Sequence, residues 1–109
     1  MSFEGSGGRE TPGFISRKIM GETTRKFENF TNAPIGNKMA TDLPGIGPVL
    51  GARLSEKGYE RADLVLGMYL ICRKNDEFFM EWLHETCGAN RNQASNCAKA
   101  LKEWCTQFL

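Results

Sequence analysis

The residues best suited to chemistry lie in a glycine-rich segment, Leu-Pro-Gly-Ile-Gly-Pro-Val-Leu-Gly at positions 43–51. Gly45 and Gly47 flank Ile46, and Pro48 suits a first helical turn, where its missing N–H is no loss. Both glycines permit backbone angles closed to other residues, and they leave no side chain in front of the nearby N–H groups. Uncovered N–H groups at the positive end of a helix attract anions. The segment therefore predicts an anion site formed by main-chain amides.

A short helix, a Gly-apolar-Gly turn and a second helix form a helix-hairpin-helix arrangement, whose natural ligand is a DNA backbone phosphate. We expect Ile46 to be buried and to hold the hairpin rigid, and Arg53 to add a charge-assisted contact. Residues 90–92 (Asn-Arg-Asn) offer a second helix start with exposed amides, although an ordinary N-cap explains them equally well. Such a turn also occurs in helical domains that bind only proteins, so both kinds of ligand stay open at this point.

The composition excludes several other functions. The 109 residues carry 14 Lys+Arg and 13 Asp+Glu, a formal net charge of +1, so no general positive field holds nucleic acid. The single histidine, His84, is expected to face solvent, and the four cysteines form no C-x-x-C pair, so neither a metal nor a cofactor is expected. The thiols are expected to be reduced. No apolar run is long enough to cross a membrane and no signal-peptide core is present, so neither membrane insertion nor export is expected.

Catalysis is not expected either. Helix-hairpin-helix elements occur in DNA glycosylases and lyases, which need a base-flipping pocket and a placed Lys or Asp. A domain of this size has little room for such a pocket, no Lys follows the hairpin closely, and Arg53 cannot act as a base.

The chain divides into two parts. Residues 1–22 hold five of the twelve glycines and no apolar period, which predicts a disordered extension. Residues 23–109 are predicted to form one all-α domain. Its helices are expected near 24–30, near 38–43, from Pro48 to Gly58, over 61–73, from Asn75 or Asp76 to Gly88, and from Asn90 to the C-terminus.

Two features of these helices bear on association. The helix after Pro48 is expected to direct Val49, Leu50 and Leu54 inward. Gly67 lies in the middle of the next helix at a cost of about 1 kcal/mol relative to Ala, which indicates close approach by another backbone. The many aromatic residues favour self-association over a tightly packed monomer.

From Thr24 to Leu109 the chain resembles the barrier-to-autointegration factor family of small nuclear DNA-bridging proteins. The resemblance is carried, without insertion or deletion, by 45–47 with 49–51, 65–67 with 69–70, 81–83, 86–90, and 103–105 with 108–109. It implies a compact five-helix SAM-like domain that contains a helix-hairpin-helix motif and forms a homodimer. Each protomer would present one hairpin, so that one dimer bridges two duplexes without sequence preference.

The resemblance also implies roles for individual residues. Contacts to double-stranded DNA would involve Lys26, Gly45, Ile46, Gly47, Val49, Leu50, Asn90 and Arg91, with Arg25 and Arg53 as additions. The dimer seam and a groove for LEM-domain proteins of the inner nuclear membrane would involve Gly67, Ile71, Arg73 and Phe78. Lamins and histones are further implied partners. The resemblance places the protein itself in the nucleus, at chromatin and the nuclear envelope, and also in the cytoplasm. Phosphorylation of Thr23 and Thr24 would release DNA, since it adds negative charge beside Lys26.

The chain departs from the family in two places. Asn92 and Ser95 stand where family members usually carry basic residues. Either Arg91 offsets that loss or the affinity for DNA differs from that of the family. About twenty residues precede the family's first residue, and Met20 lies near that point. Arg17 and Lys18 in this extension either add a non-specific DNA contact or play no part, and the sequence favours the second. The alternative to DNA bridging is a helical protein-interaction module that does not bind DNA.

Overall fold

Five α-helices and one 3-10 helix make up residues 22–109, the part that the computed structural model describes, with side chains from Arg25 onward. In chain order they are α1 (Glu22–Thr31), the 3-10 helix (Ala40–Asp42), α2 (Pro48–Glu56), α3 (Ala62–Ile71), α4 (Asp76–Cys87) and α5 (Arg91–Phe108). Extended pairing in this part of the chain is limited to an isolated bridge between Met39 and Arg61. The predicted all-α fold is confirmed. Of the extension predicted over 1–22, all but Glu22 lies outside the described residues.

The capping residues set the bounds of the last two helices. Asn75, rather than Asp76, is the N-cap of α4, because its side chain accepts a hydrogen bond from the N–H three residues on. Gly88 ends α4 in the left-handed region, with φ +79°. Asn90 and Gln93 exchange both bonds of a capping box at the start of α5, at 2.8 and 2.9 Å. Such a cap contributes about 1 kcal/mol, and all three were predicted from local sequence.

Two predicted helices are shorter than expected. The segment 38–43 contains only the three-residue 3-10 helix. The helix predicted over 61–73 ends at Ile71 because Arg73 and Lys74 turn left-handed, with φ 59° and 60°. The N–H of Arg73 donates to the Leu70 carbonyl and that of Lys74 to the Tyr69 carbonyl, the two bonds of a Schellman motif. A position that glycine usually occupies is thus taken by an arginine, at about 1–2 kcal/mol per left-handed residue.

The core forms around α5, the longest helix, which packs against α1 on one side and α4 on the other. Each fully buried aliphatic or aromatic side chain contributes about 1.5–3 kcal/mol. The polar atoms of the buried rings have partners: Trp104 Nε1 donates to the Ala33 carbonyl at 3.0 Å, and the Tyr69 hydroxyl donates to Asp76 at 3.1 Å. The largest fully buried side chains are Tyr69, Phe30, Phe79, Leu43, Ile46, Leu54, Leu83, Leu101 and Val65.

All four cysteines are free thiols. Cys97 is fully buried, and burial raises its pKa well above the usual value. Burial also raises the pKa of Cys87, where the nearby Arg53 charge partly offsets it. These thiols act as small apolar side chains inside the fold.

One apolar stripe on α3 is not covered by the rest of the described chain. Leu64, Gly67, Met68 and Ile71 follow at i, i+3, i+4 and i+7 and so share one side of the helix. Leu64 is 40% exposed and Ile71 70% exposed. Apart from its two chain neighbours and the backbone of its own helix, nothing in the described residues lies within 4 Å of a Cβ built on Gly67. The close approach predicted at Gly67 is therefore not made by this part of the chain. We call these four residues the α3 stripe.

Candidate nucleic-acid interface

The glycine loop between the 3-10 helix and α2 is anchored from inside. Ile46 is fully buried, as predicted, and its N–H donates to the Leu43 carbonyl at 3.0 Å. Gly45 has φ +87°, in the left-handed region, and so uses the conformational freedom that glycine permits. A Cβ on Gly45 would collide with the carbonyl oxygen of Gln93 in α5. Gly45 is thus required both by the turn and by the close approach of α5.

Gly47 is suited to the loop for another reason. Its φ of −99° and ψ of −169° are ordinary extended angles, so Gly47 does not use the special backbone angles that glycine permits. Apart from its two chain neighbours, nothing in the described residues lies within 4 Å of a Cβ built at this position, which opens outward. Any larger side chain would stand in front of the first turn of α2. Glycine leaves that turn uncovered.

The N–H groups around this loop are available to a ligand. Gly45, Gly47, Val49 and Leu50 have N–H groups with no acceptor among residues 22–109. The first N–H groups of any helix lack partners within the helix, and together they carry a partial positive charge of about half a unit. An anion placed outside Gly47 would meet donors without displacing any protein contact.

Lys26 of α1 brings a full charge to the same loop. Its ammonium nitrogen donates to the Ile46 carbonyl at 2.7 Å, although the two residues are twenty positions apart. The bond fixes the ammonium beside the loop and satisfies the carbonyl of the hairpin's central residue. A net positive charge therefore lies next to the uncovered amides of α2.

Val49 was predicted to face inward on α2, and that prediction is wrong. It is 62% exposed, whereas Leu50 and Leu54 are buried as predicted. Leu50 and Leu54 are four residues apart and share one side of the helix, while Val49 is rotated about 100° from Leu50. Its exposure places the side chain beside the loop, where the resemblance implies a contact.

The second helix start adjoins the first. The Gln93 carbonyl that faces Gly45 belongs to the first turn of α5, so Asn90 and Arg91 lie on the same part of the surface as the glycine loop. The Asn90 side chain is occupied by its cap. Arg91 forms an ion pair with Glu77 at 3.0 Å, with both side chains at least 70% exposed. Exposed pairs of this kind are worth about 0–1 kcal/mol, so a phosphate can replace the carboxylate.

Arg53 has an intramolecular partner instead of an open position. Its Nη1 donates to the Cys87 carbonyl at 3.1 Å, at the end of α4. A cation at the C-terminus of a helix is favourable because the helix dipole is negative there. The side chain thus ties α2 to α4, and the additional phosphate contact expected of it stays a prediction.

The residues predicted to contact partner proteins, Ile71, Arg73 and Phe78, lie between the C-terminal end of α3 and the first turn of α4. Ile71 is 70% and Phe78 63% exposed, and Arg73 is exposed in the left-handed turn between them. The sequence reasoning missed Leu64 and Met68, although their helical spacing from Gly67 and Ile71 was a usable signal. It also missed an open groove of about 560 Å³, lined by Glu77, Phe78, Met80, Glu81, His84, Ala89, Asn90, Arg91 and Ala94.

Thr23 and Thr24 belong by their backbone to the first turn of α1. His84 is exposed as predicted, and its Nδ1 forms a hydrogen bond with the Ala89 carbonyl at 2.9 Å. Among the described residues, no group of three His, Cys, Asp or Glu side chains could hold a metal ion. None of the helices in residues 22–109 has the length and apolar character needed to span a membrane.

Comparison with known proteins identifies the family. The family model SAM_BAF, described as barrier to autointegration factor, matches residues 21–108 and agrees with the predicted SAM-like all-α fold. Barrier-to-autointegration factor of Danio rerio is 49% identical over 90 residues, which are 83% of this chain and 100% of that protein. The Drosophila melanogaster protein of that name is 46% identical over 90 residues, again 83% of this chain and 100% of that protein. The Homo sapiens protein is 45% identical over 87 residues, 80% of this chain and 98% of its own. The chain belongs to the barrier-to-autointegration factor family.

Proposed function

We propose that this protein binds double-stranded DNA through backbone phosphates, without reading base sequence, and bridges duplexes as a homodimer. The observation that carries the proposal is the set of amides at Gly45, Gly47, Val49 and Leu50 that have no acceptor among the described residues, in a loop that is open at Gly47. Amide donors match phosphate oxygens, and such contacts carry no direct sequence information. Amides are also absent from a count of charged residues, so a chain of net charge +1 can hold a polyanion.

Three cations support the same surface. Lys26 is held at the loop by the Ile46 carbonyl, and Arg91 stands at the neighbouring helix start. Arg25, one residue before Lys26, is exposed on α1. Phosphorylation of Thr23 or Thr24 would add about −1.5 to −2 charges within a helical turn of Lys26. DNA release by phosphorylation is therefore part of the proposal.

Bridging requires a second copy, and the α3 stripe is the proposed seam. Apolar side chains exposed at helical spacing mark an interaction surface. Gly67 at its centre leaves room for another backbone to approach closely. A two-fold dimer uses the same patch on both copies, so each dimer presents two glycine loops.

A groove for protein partners is proposed beside that seam. Ile71 and Phe78 supply exposed apolar surface and Arg73 supplies a cation between them. LEM-domain proteins of the inner nuclear membrane are the proposed occupants, with lamins and histones as further partners. We place the protein in the nucleus, at chromatin and the nuclear envelope, and also in the cytoplasm. It acts as a binding protein and not as an enzyme.

Duplex binding at several salt concentrations tests the proposal. Two labelled duplexes of unrelated sequence should bind with equal affinity by fluorescence anisotropy, and both affinities should fall linearly on a log–log plot against salt. Strong preference for one sequence, or no binding to either at 50 mM salt, would contradict it. The second result would favour the alternative function, a protein-interaction module that does not bind DNA.

Light scattering tests bridging separately. The protein alone should have the mass of a dimer, and adding a short random duplex should give a species that contains two duplexes per dimer. A species with one duplex per protein chain and no dimer would remove bridging while leaving DNA binding intact.

A further inference from the structure

A polar stripe runs along the outer surface of α5 from the second helix start. Asn92, Ser95, Asn96 and Lys99 follow at i, i+3, i+4 and i+7 and so share one side of the helix. None is acidic, and each is exposed or half-buried. About 10 Å of helix separates the first from the last. We call these residues the α5 stripe.

The α5 stripe borders the glycine loop. A Cβ built on Gly45 would lie 3.4 Å from the Cβ of Asn96, one turn before Lys99. Lys99 is rotated by about 60° from Asn96 and displaced by about 4.5 Å along the axis. The flexible four-carbon stem of a lysine spans such a distance. Its ammonium is therefore within reach of a strand that lies across the loop and the start of α5.

Lys99 has no hydrogen-bond or ion-pair partner among the described residues. Three other cations of this region hold an acceptor: Lys26 and Arg53 donate to carbonyl groups, and Arg91 pairs with a carboxylate. A free ammonium loses no protein contact when it binds a phosphate. Lys99 can therefore bind a phosphate without breaking an ion pair, whereas Arg91 must first leave Glu77.

We infer that the DNA-binding surface extends along α5 and that Lys99 binds a backbone phosphate, an inference that rests on the proposed function. Asn92 and Asn96 lie between the start of α5 and Lys99 and offer amide donors to the same strand. The α5 stripe then supplies the charge that Asn92 and Ser95 lack, about one to two turns further along the helix.

The test compares Lys99→Gln with a matched control, Lys102→Gln, in the full chain. Lys102 is exposed on the same helix, but it is rotated by about 120° from Asn96, away from the loop. Both substitutions remove one positive charge. The slope of log affinity against log salt should fall by about one for Lys99→Gln, with binding weakened equally for unrelated duplexes. Lys102→Gln should retain the wild-type slope.

An unchanged slope for Lys99→Gln, or an equal fall in both variants, would overturn the inference. Circular dichroism of both variants should match the wild type, because neither side chain is buried. Wild-type protein that binds no duplex would overturn the proposed function itself. Wild-type binding with an unaltered Lys99→Gln variant would overturn only the role of Lys99.

Discussion

Replacing Gly47 by glutamate should abolish duplex binding without unfolding the protein. Gly47 has extended backbone angles, and a Cβ there meets no described atom within 4 Å, so a side chain fits without strain. Surface substitutions of this kind change stability by about 0.5 kcal/mol or less. The thermal midpoint should therefore shift by only a few degrees.

The loss of binding can be worked from the site. A carboxylate about 4 Å from a phosphate, in a partly shielded environment, costs about 4 kcal/mol. At 1.4 kcal/mol per factor of ten, that is roughly a thousandfold loss of affinity. Gly47→Gln is the matched control, because it covers the same amides with a side chain of similar size and no charge.

Fluorescence anisotropy with one duplex at a fixed salt concentration gives both affinities. The glutamine variant should bind more weakly than the wild type but far more tightly than the glutamate variant. A glutamate variant within threefold of the wild type would refute the assignment of the phosphate to this loop. Equal losses in the two variants would mean that steric cover, and not charge, decides binding.

Three further predictions follow from other parts of the fold. Gly45→Ala should lower the free energy of unfolding by about 1–3 kcal/mol in urea titrations, since it puts a side chain at φ +87° against the Gln93 carbonyl; Gly47→Ala should be nearly neutral, and equal effects would contradict the geometry. Gly67→Glu should elute as a monomer on a sizing column, because it places a charge in the centre of the α3 stripe; an intact dimer would remove that seam. Burial raises the pKa of Cys97 above the value of about 8.5 that a cysteine has in the unfolded chain. The thiol therefore lowers the free energy of unfolding only as the pH rises past about 8.5, by up to about 1.4 kcal/mol per pH unit. In urea unfolding under reducing conditions, the free energy of unfolding of the Cys97→Ala variant should fall less between pH 8 and 10 than that of the wild type.

Local signals in the sequence were enough for most helix bounds. Asn90 with Gln93, the glycine at 88 and the proline at 48 act through their own backbone and near neighbours, so their roles are visible without the fold. The left-handed Arg73 was not predicted, because glycine is the residue that usually marks such a helix end in a sequence.

The site was predicted less completely, for a related reason. Val49 looked like core because α2 is short and its first turn is apolar on both sides. The bond from Lys26 to the Ile46 carbonyl joins residues 20 apart, and that from Arg53 to the Cys87 carbonyl joins residues 34 apart. No periodicity reports contacts at such separations, so two cations of similar appearance in the sequence have different surroundings in the fold.

The contact between Gly45 and the first turn of α5 has a consequence for the thermodynamics of association. The amides of the glycine loop and those at the start of α5 are held together by a contact between main-chain atoms, and the buried side chain of Ile46 anchors the loop. Neither set has to be ordered when a ligand arrives, so little conformational entropy of the protein is lost at that step. Association still costs desolvation and the loss of free rotation and translation, but the cost of ordering the protein is largely absent from the binding free energy.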